Sequence, residues 1–302
     1  MILAAVLLFG VVVIGWFSPR LLGRLTAGGI SPGTALAWWL LTALGVLAGG
    51  LGAVLLLVLP DHGPAPAITR VLHDCWAAVG HSGLPALDPL AGTFAGAAVV
   101  FAAARLAVSS ARRRKRSALL HRRHLDVLRL AGIRDERPIP TLWVPDDRPI
   151  AYSLGGRHSL IVASRGLAGR LSARELNAVL AHEHAHVRGR HHFLVACAET
   201  LGRTLRFVPL LRELPGAVRL LVELAADRSA AAGHGPETVR SALLSTRGGD
   251  ISLRLRWLAE HSSGPARFPE KVRAVAGGTL ALLAPPALAA GLMFSAGLIS
   301  CW

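Results

Sequence analysis

Long apolar runs flank one mixed segment of this chain, and they decide its architecture. Four runs are almost wholly apolar, at 1–17, 34–59, 89–109 and 274–302. At about 1.5 Å per residue, a run of 20 residues crosses the ~30 Å hydrocarbon core of a bilayer. The pattern therefore predicts four membrane-spanning helices, the first ending at Ser18-Pro19-Arg20 and the last kinked at Pro285-Pro286.

The segment at 111–273 has no run long enough to span, and its periodicity predicts a folded module. Short apolar stretches bounded by turn residues predict strands at 142–144, 149–153 and 159–163. Helical periodicity predicts helices at 117–130, from Ser172 onward, and at 192–204, 216–232, 236–244 and 251–260. The predicted fold is thus an α-helical integral membrane protein with a mostly helical α+β module that carries a small sheet.

Composition and charge support this division into 1–110, 111–273 and 274–302. Of the 302 residues 52% are hydrophobic, and the mean hydropathy of +0.48 is too apolar for an ordinary soluble domain. The net charge of +15 is nearly all arginine, and much of it lies beside the apolar runs or on the module at 111–273. Without a nucleic-acid-binding motif, this charge indicates membrane orientation rather than direct nucleic-acid binding.

The arginines predict which side of the cell membrane each segment occupies. Arg20 and Arg24 follow the first apolar run, and the basic run 111–116 follows the third, whereas the loop at 61–88 is poor in basic residues. Basic loops stay in the cytoplasm. We therefore expect a multi-pass protein with both termini outside, an outer loop at 61–88 and a cytoplasmic module.

One motif within the module points to metal chemistry. His182, Glu183 and His186 form H-E-x-x-H after a predicted helix start, with Ser172 and Glu175 as a capping box. On a helix the two histidines share one face and can hold one Zn²⁺ ion. Glu183 can then act as general base toward a water molecule.

The third zinc ligand has two candidates in the sequence. His192 completes H-E-x-x-H-x-x-G-x-x-H with Gly189, but no methionine follows where a Met-turn would be needed. Glu223 lies in a later predicted helix four residues before Asp227, which can hydrogen-bond a ligating histidine. We favour Glu223 as the third ligand and Asp227 as the residue that hydrogen-bonds a ligating histidine. We expect His184, His191 and His192 to lie near the site or on the surface.

The combination of H-E-x-x-H with a later E-x-x-x-D resembles the gluzincin membrane peptidases, which include HtpX-type and CAAX-protease-type enzymes. Three apolar runs, a zinc module and one further run resemble the BlaR/MecR-type antirepressor peptidases in particular. Those proteins continue into a penicillin-binding domain, whereas this sequence stops at Trp302. We therefore expect the signal to be sensed by another route, such as a membrane partner or a homodimer.

The resemblance implies a zinc endopeptidase that cleaves a cytoplasmic transcriptional repressor in a signalling pathway. A quality-control peptidase of HtpX type and a non-proteolytic sensor with structural zinc are the alternatives. The substrate is expected to add as a strand to a sheet edge formed by Ser159, Leu160, Ile161, Val162 and Ala163. Cys75 and Cys301 both fall on the predicted outer side, and a disulfide between them is a further hypothesis.

Overall fold

The computed structural model describes 2–27, 30–58, 100–112, 133–135, 139–156, 159–246 and 251–260, with single positions among 94–97 and 272–287. The predicted outer loop at 61–88, the amphipathic helix at 117–130 and the Cys75–Cys301 pairing lie outside the described residues. So do most of the fourth predicted span and the first half of the third. Residues 100–112 are helical and cover the rest of the third span.

Two apolar helices begin the chain, α1 (Ile2–Ala27) and α2 (Pro32–Val58). Both contain a stretch long and apolar enough to cross a membrane, 23 residues in α1 and 24 in α2. The predicted end of the first helix at Ser18-Pro19-Arg20 is wrong, because α1 continues through Pro19. An internal proline costs a helix roughly 3 kcal/mol. Burial of Leu22 on the continued helix, in a cluster shared with α2, recovers about 1.5–3 kcal/mol of that.

The module contains a four-stranded sheet of β1 (Ile133–Asp135), β2 (Thr141–Val144), β3 (Ala151–Leu154) and β4 (Leu160–Ser164). The strand order is β1-β2-β4-β3, with β2 and β4 parallel and the other pairs antiparallel. Three of these strands were predicted; β1 was not.

The position of β4 in the sheet corrects one prediction. Ser159, Leu160, Ile161, Val162 and Ala163 were expected to form a substrate-binding edge, but β4 pairs on both sides. Ile161, Val162 and Ala163 are buried almost completely, as is typical of a continuous apolar run in a central strand. Within the described sheet, the edge nearest the helices is β3.

Six helices follow the sheet: α3 (Arg165–Arg170), α4 (Ala173–Arg188), α5 (His191–Thr204), α6 (Pro209–His234), α7 (Pro236–Thr246) and α8 (Ser252–Glu260). The main discrepancy with the prediction is α6, which begins at Pro209 rather than Gly216. Pro209 occupies the first turn, where a proline is tolerated. Leu210, Leu211 and Leu214 are fully buried on this added segment, so packing offsets the cost of the internal Pro215.

The helices α4 and α6 are central to the packing of the module. One buried cluster joins α1 and α2 to α5 and the first half of α6. A second joins the sheet to α3 and α4, and a third joins α4 and α6 to α7 and α8. Every predicted metal ligand lies on α4 or α6, so the site is built on the two most constrained helices of the described chain.

Candidate metal centre and active site

The start of α4 is fixed by the capping box that the sequence predicts. The Ser172 N–H donates to Glu175 Oε2 at 2.8 Å, and the Glu175 N–H donates to Ser172 Oγ at 3.3 Å. The hydroxyl of Ser241 on α7 donates to the other Glu175 oxygen. This cap fixes the register of the helix that carries His182 and His186 three turns later.

His182, His186 and Glu223 converge as a triangle of potential ligand atoms. The Nε2 atoms of the two histidines lie 3.0 Å apart, and each lies 3.5 Å from a carboxylate oxygen of Glu223. Ligand atoms about 2.0–2.1 Å from a tetrahedral zinc ion are separated by about 3.3–3.4 Å. The two 3.5 Å distances reach different oxygens of Glu223, so the three side chains lie at about the spacing of zinc ligands, and a fourth coordination position is left for water.

His192, the other candidate for the third ligand, lies elsewhere. Its Nε2 is 3.2 Å from the Ser153 hydroxyl oxygen on β3, and its ring centre is 6.3 Å from that of His186. The ring thus contacts the sheet edge, while Glu223 occupies the ligand position. The geometry agrees with the choice of Glu223.

Asp227 lies behind His182, as the E-x-x-x-D spacing predicts. Its Oδ1 is 2.9 Å from His182 Nδ1, and the carboxylate is fully buried. A carboxylate at this nitrogen favours the tautomer whose Nε2 lone pair points toward the ligand triangle. Asp227 therefore orients the first histidine.

Arg254 on α8 is a site residue that the sequence did not reveal. Its guanidinium donates two hydrogen bonds to Asp227, at 2.7 and 2.6 Å, and a third nitrogen lies 3.2 Å from Glu223 Oε2. A fork of this kind holds a carboxylate in one plane. Because Arg254 follows Asp227 by 27 residues and belongs to an arginine-rich chain, no local pattern distinguishes it.

His191 performs a similar role for the second histidine. Its Nδ1 lies 2.9 Å from His186 Nδ1, and the residue is only 7% exposed. The chain enters α5 through Arg190 in the left-handed conformation, at φ 49°. A side chain on Gly189 would overlap the His191 ring, so the tight turn places His191 behind His186. The sequence left its role open between the site and the surface.

The charges of this cluster are strongly coupled. Burial lowers the pKa of His182, but the Asp227 and Glu223 carboxylates outweigh it and raise that pKa to about 9. Burial and the charge on His182 lower the pKa of His186 to about 3. Burial raises the pKa of Glu223 and Asp227, yet the neighbouring His182 and Arg254 bring both below their usual values. A histidine ligates a metal only in its neutral form, so protonation and metal binding compete at His182.

A cavity of about 870 Å³ opens over the ligand triangle. Glu183 lines it beside His182 and His186, in the position expected of a base that is not a ligand. Tyr152 and Ser153 of β3 also line the cavity, and burial raises the pKa of the Tyr152 phenol. An open coordination corner, an adjacent carboxylate and a strand edge in one cavity form an arrangement suited to hydrolysis of a peptide bond.

Comparison with known proteins supports the same chemistry. No curated protein and no solved structure matches the chain. Residues 114–230, somewhat less than half of the chain, match the model of Peptidase family M48. The match covers all of α4 and most of α6, with His182, Glu183, His186, Glu223 and Asp227, and it ends before Arg254. It supports a metallopeptidase domain over that part of the sequence.

Proposed function

We propose that this protein is a membrane-bound zinc endopeptidase, with His182, His186 and Glu223 holding one Zn²⁺ ion and Glu183 as general base. The observation that carries the proposal is the ligand triangle, with edges of 3.0 and 3.5 Å, set in a cavity that Glu183 also lines. The match to a metallopeptidase family supports it.

The bound ion supplies Lewis acidity toward a water molecule and the scissile carbonyl. Glu183 takes the proton from that water and then passes it to the leaving amine. Asp227 and His191 hold the Nδ1 sides of His182 and His186, so both Nε2 atoms keep facing the same point. Arg254 balances the buried Asp227 carboxylate and the half-buried Glu223 carboxylate, and its fork fixes the plane of Asp227.

The edge strand β3 supplies the surface for an extended substrate. Ile150 accepts a hydrogen bond from the Ser164 N–H, so by antiparallel alternation Ala151 and Ser153 direct their backbone groups away from β4. These groups line the cavity. A disordered or locally unfolded peptide can pair with them as an added strand, with its scissile bond above the ligand triangle.

Substitution of the general base Glu183 tests the proposed hydrolytic mechanism. We expect Glu183→Gln to lose cleavage of an unfolded protein while retaining metal, because the amide cannot accept the proton of the water. Glu223→Ala is the comparison and should lose the metal as well. Zinc content by mass spectrometry and cleavage by gel analysis report on each variant, and sustained proteolysis by Glu183→Gln would contradict the mechanism.

The substrate we propose is a cytoplasmic transcriptional repressor, cleaved in a signalling response. The support is the sequence order of three apolar runs, a zinc module and a fourth run, together with the basic residues that orient the module toward the cytoplasm. Quantitative mapping of new protein termini in cells with wild-type and Glu183→Gln protein tests this role. One dominant cleaved protein is expected, whereas cleavage of many misfolded membrane proteins would indicate quality control instead.

A further inference from the structure

The turn between α5 and α6 is a protruding apolar point on the module. We call residues 205–208 the hairpin tip. Phe207 within it is 74% exposed, more than any other bulky apolar residue in the described part of the module. Exposing an aromatic ring to water loses the free energy that its burial would give, so its surroundings require an explanation.

The hairpin tip lies alongside the apolar middle of α1 and α2. Val208 Cγ1 is 3.0 Å from where a Cβ on Gly15 would lie, and Val46 of α2 is 3.9 Å from the same point. Gly15 precedes Arg20, the first basic residue of α1, by five residues. At ~1.5 Å per residue, the tip is therefore about 7.5 Å from Arg20 along α1, inside the apolar stretch.

The packing of α6 against α1 and α2 connects the hairpin tip to the metal site, because α6 also carries Glu223. Its buried residues Leu210, Leu214, Val218 and Leu221 share one cluster with α1 and α2, and that cluster extends to Leu22 and Leu36. These last two lie toward the connection between α1 and α2. The first half of α6 therefore packs against α1 and α2 in a cluster that reaches from their apolar middle to the end that carries Arg20 and Arg24.

The residues around the tip suit a lipid interface. Arg203 and Arg212 are more than half exposed, although each also pairs with a glutamate, Glu199 and Glu213 respectively. Arg206 is exposed as well. Long arginine side chains can extend from a shallow apolar position to lipid phosphates. An apolar group with basic residues around it, seated about 5–10 Å below the headgroups, is the arrangement of interfacial membrane anchors.

We propose that the hairpin tip inserts into the lipid bilayer beside α1 and α2 and anchors the catalytic module to the membrane surface. The occupant of the exposed Phe207 face is thus acyl chain, with anionic headgroups around the arginines. Glu223 follows Val208 by fifteen residues, or roughly 22 Å along α6. The cavity is then held close to the bilayer, and its substrates are segments that lie beside a membrane.

This inference rests on the membrane location in the proposed function, but not on the peptidase chemistry. A fluorescence measurement of depth separates the two. Single-cysteine variants of the full chain, with Cys75, Cys197 and Cys301 replaced, carry the polarity-sensitive label NBD at Phe207→Cys. The same label at Val12→Cys, 61% exposed on α1, reports the bilayer, and at Glu237→Cys, 81% exposed on α7, it reports water.

In phosphatidylcholine and phosphatidylglycerol vesicles, the label at position 207 should show a blue-shifted emission and be quenched by doxyl lipids, as at position 12. If the label at 207 shows the emission of the water-exposed label at 237, while the label at 12 is quenched, the hairpin tip is not inserted. This result would contradict the membrane anchor but not the spans. Shielding from water without quenching by doxyl lipids would show that another protein segment covers Phe207, and would also overturn it. If the label at position 12 itself reports water, the result contradicts both the membrane spans and the anchor.

Discussion

At the scale of single residues, the metal centre depends on side chains that never touch the metal. Arg254 is the clearest case, because it faces two carboxylates at once. We expect Arg254→Ala to weaken zinc affinity by about 10–100-fold, the usual effect of losing a partner behind a ligand. It leaves the buried Asp227 charge with one partner fewer, so unfolding should also become easier by roughly 3–5 kcal/mol.

Arg256 provides the matched control for Arg254, since it lies on the same helix and is exposed. Arg256→Ala removes the same charge without touching the site and should keep zinc affinity at the wild-type value. Competition with a chromogenic chelator measures both. Equal affinities for the two variants would show that Arg254 stabilises only the fold.

A second prediction at this scale concerns His191 and its contact with His186. With His191→Ala, the Nδ1 of His186 loses its neighbour at 2.9 Å, so the ring is no longer held in one orientation. The absorption spectrum of the Co²⁺-substituted protein should change in intensity, and metal affinity should fall by about 10–100-fold. His192→Ala is the adjacent control and should leave the spectrum unchanged, because His192 contacts Ser153 instead.

At the scale of elements, the edge strand β3 makes a prediction about substrate binding. Ala151→Pro removes one outward N–H from the edge, and a proline at an edge position is compatible with the strand. We expect a higher KM and unchanged zinc content, since no ligand is affected. Ala151→Ser keeps the N–H with a side chain of similar size and should retain the wild-type KM. An unchanged KM for the proline variant in peptide cleavage would exclude strand addition at β3.

The same elements show what the sequence could predict and where it failed. Ser172 caps the helix that carries Glu175, His182 and His186, so local spacing was sufficient to predict the cap and the shared face of the two histidines. Glu223 and Asp227 were also predicted, because a four-residue spacing has a meaning on any helix. The start of α6 was missed because tertiary packing of Leu210 and Leu211 outweighs the internal proline.

The hydrophobic pattern of the sequence could not predict the order of the strands either. Ile161, Val162 and Ala163 predict a strand, yet whether that strand is central or at the edge depends on β2, which pairs from 20 residues away. For the same reason Arg254 was not identified as a site residue, and His191 was left open between the site and the surface. Their partners depend on the packing of α8 and on the turn before α5. Residues spaced within one helix could thus be predicted from the sequence, whereas contacts between residues far apart in the sequence could not.

At the scale of the whole molecule, α1 and α2 are part of the core of the module rather than a detachable anchor. Leu210, Leu211, Leu214 and Val218 of α6 are fully buried in the cluster that these helices share. Exposing four such side chains costs about 6–12 kcal/mol at 1.5–3 kcal/mol each. That is comparable with the roughly 5–15 kcal/mol by which a domain is stable.

We therefore expect a chain that begins at residue 111 to lose its compact state and its zinc, even though every predicted ligand is retained. Co-expression of residues 1–58 as a separate fragment should restore both, because the missing surface is then supplied in trans. Size-exclusion chromatography in detergent and metal analysis of the eluted protein measure the outcome. A monodisperse, zinc-loaded fragment 111–302 without α1 and α2 would show that α6 is held by the module alone, and that these helices serve only to tether it.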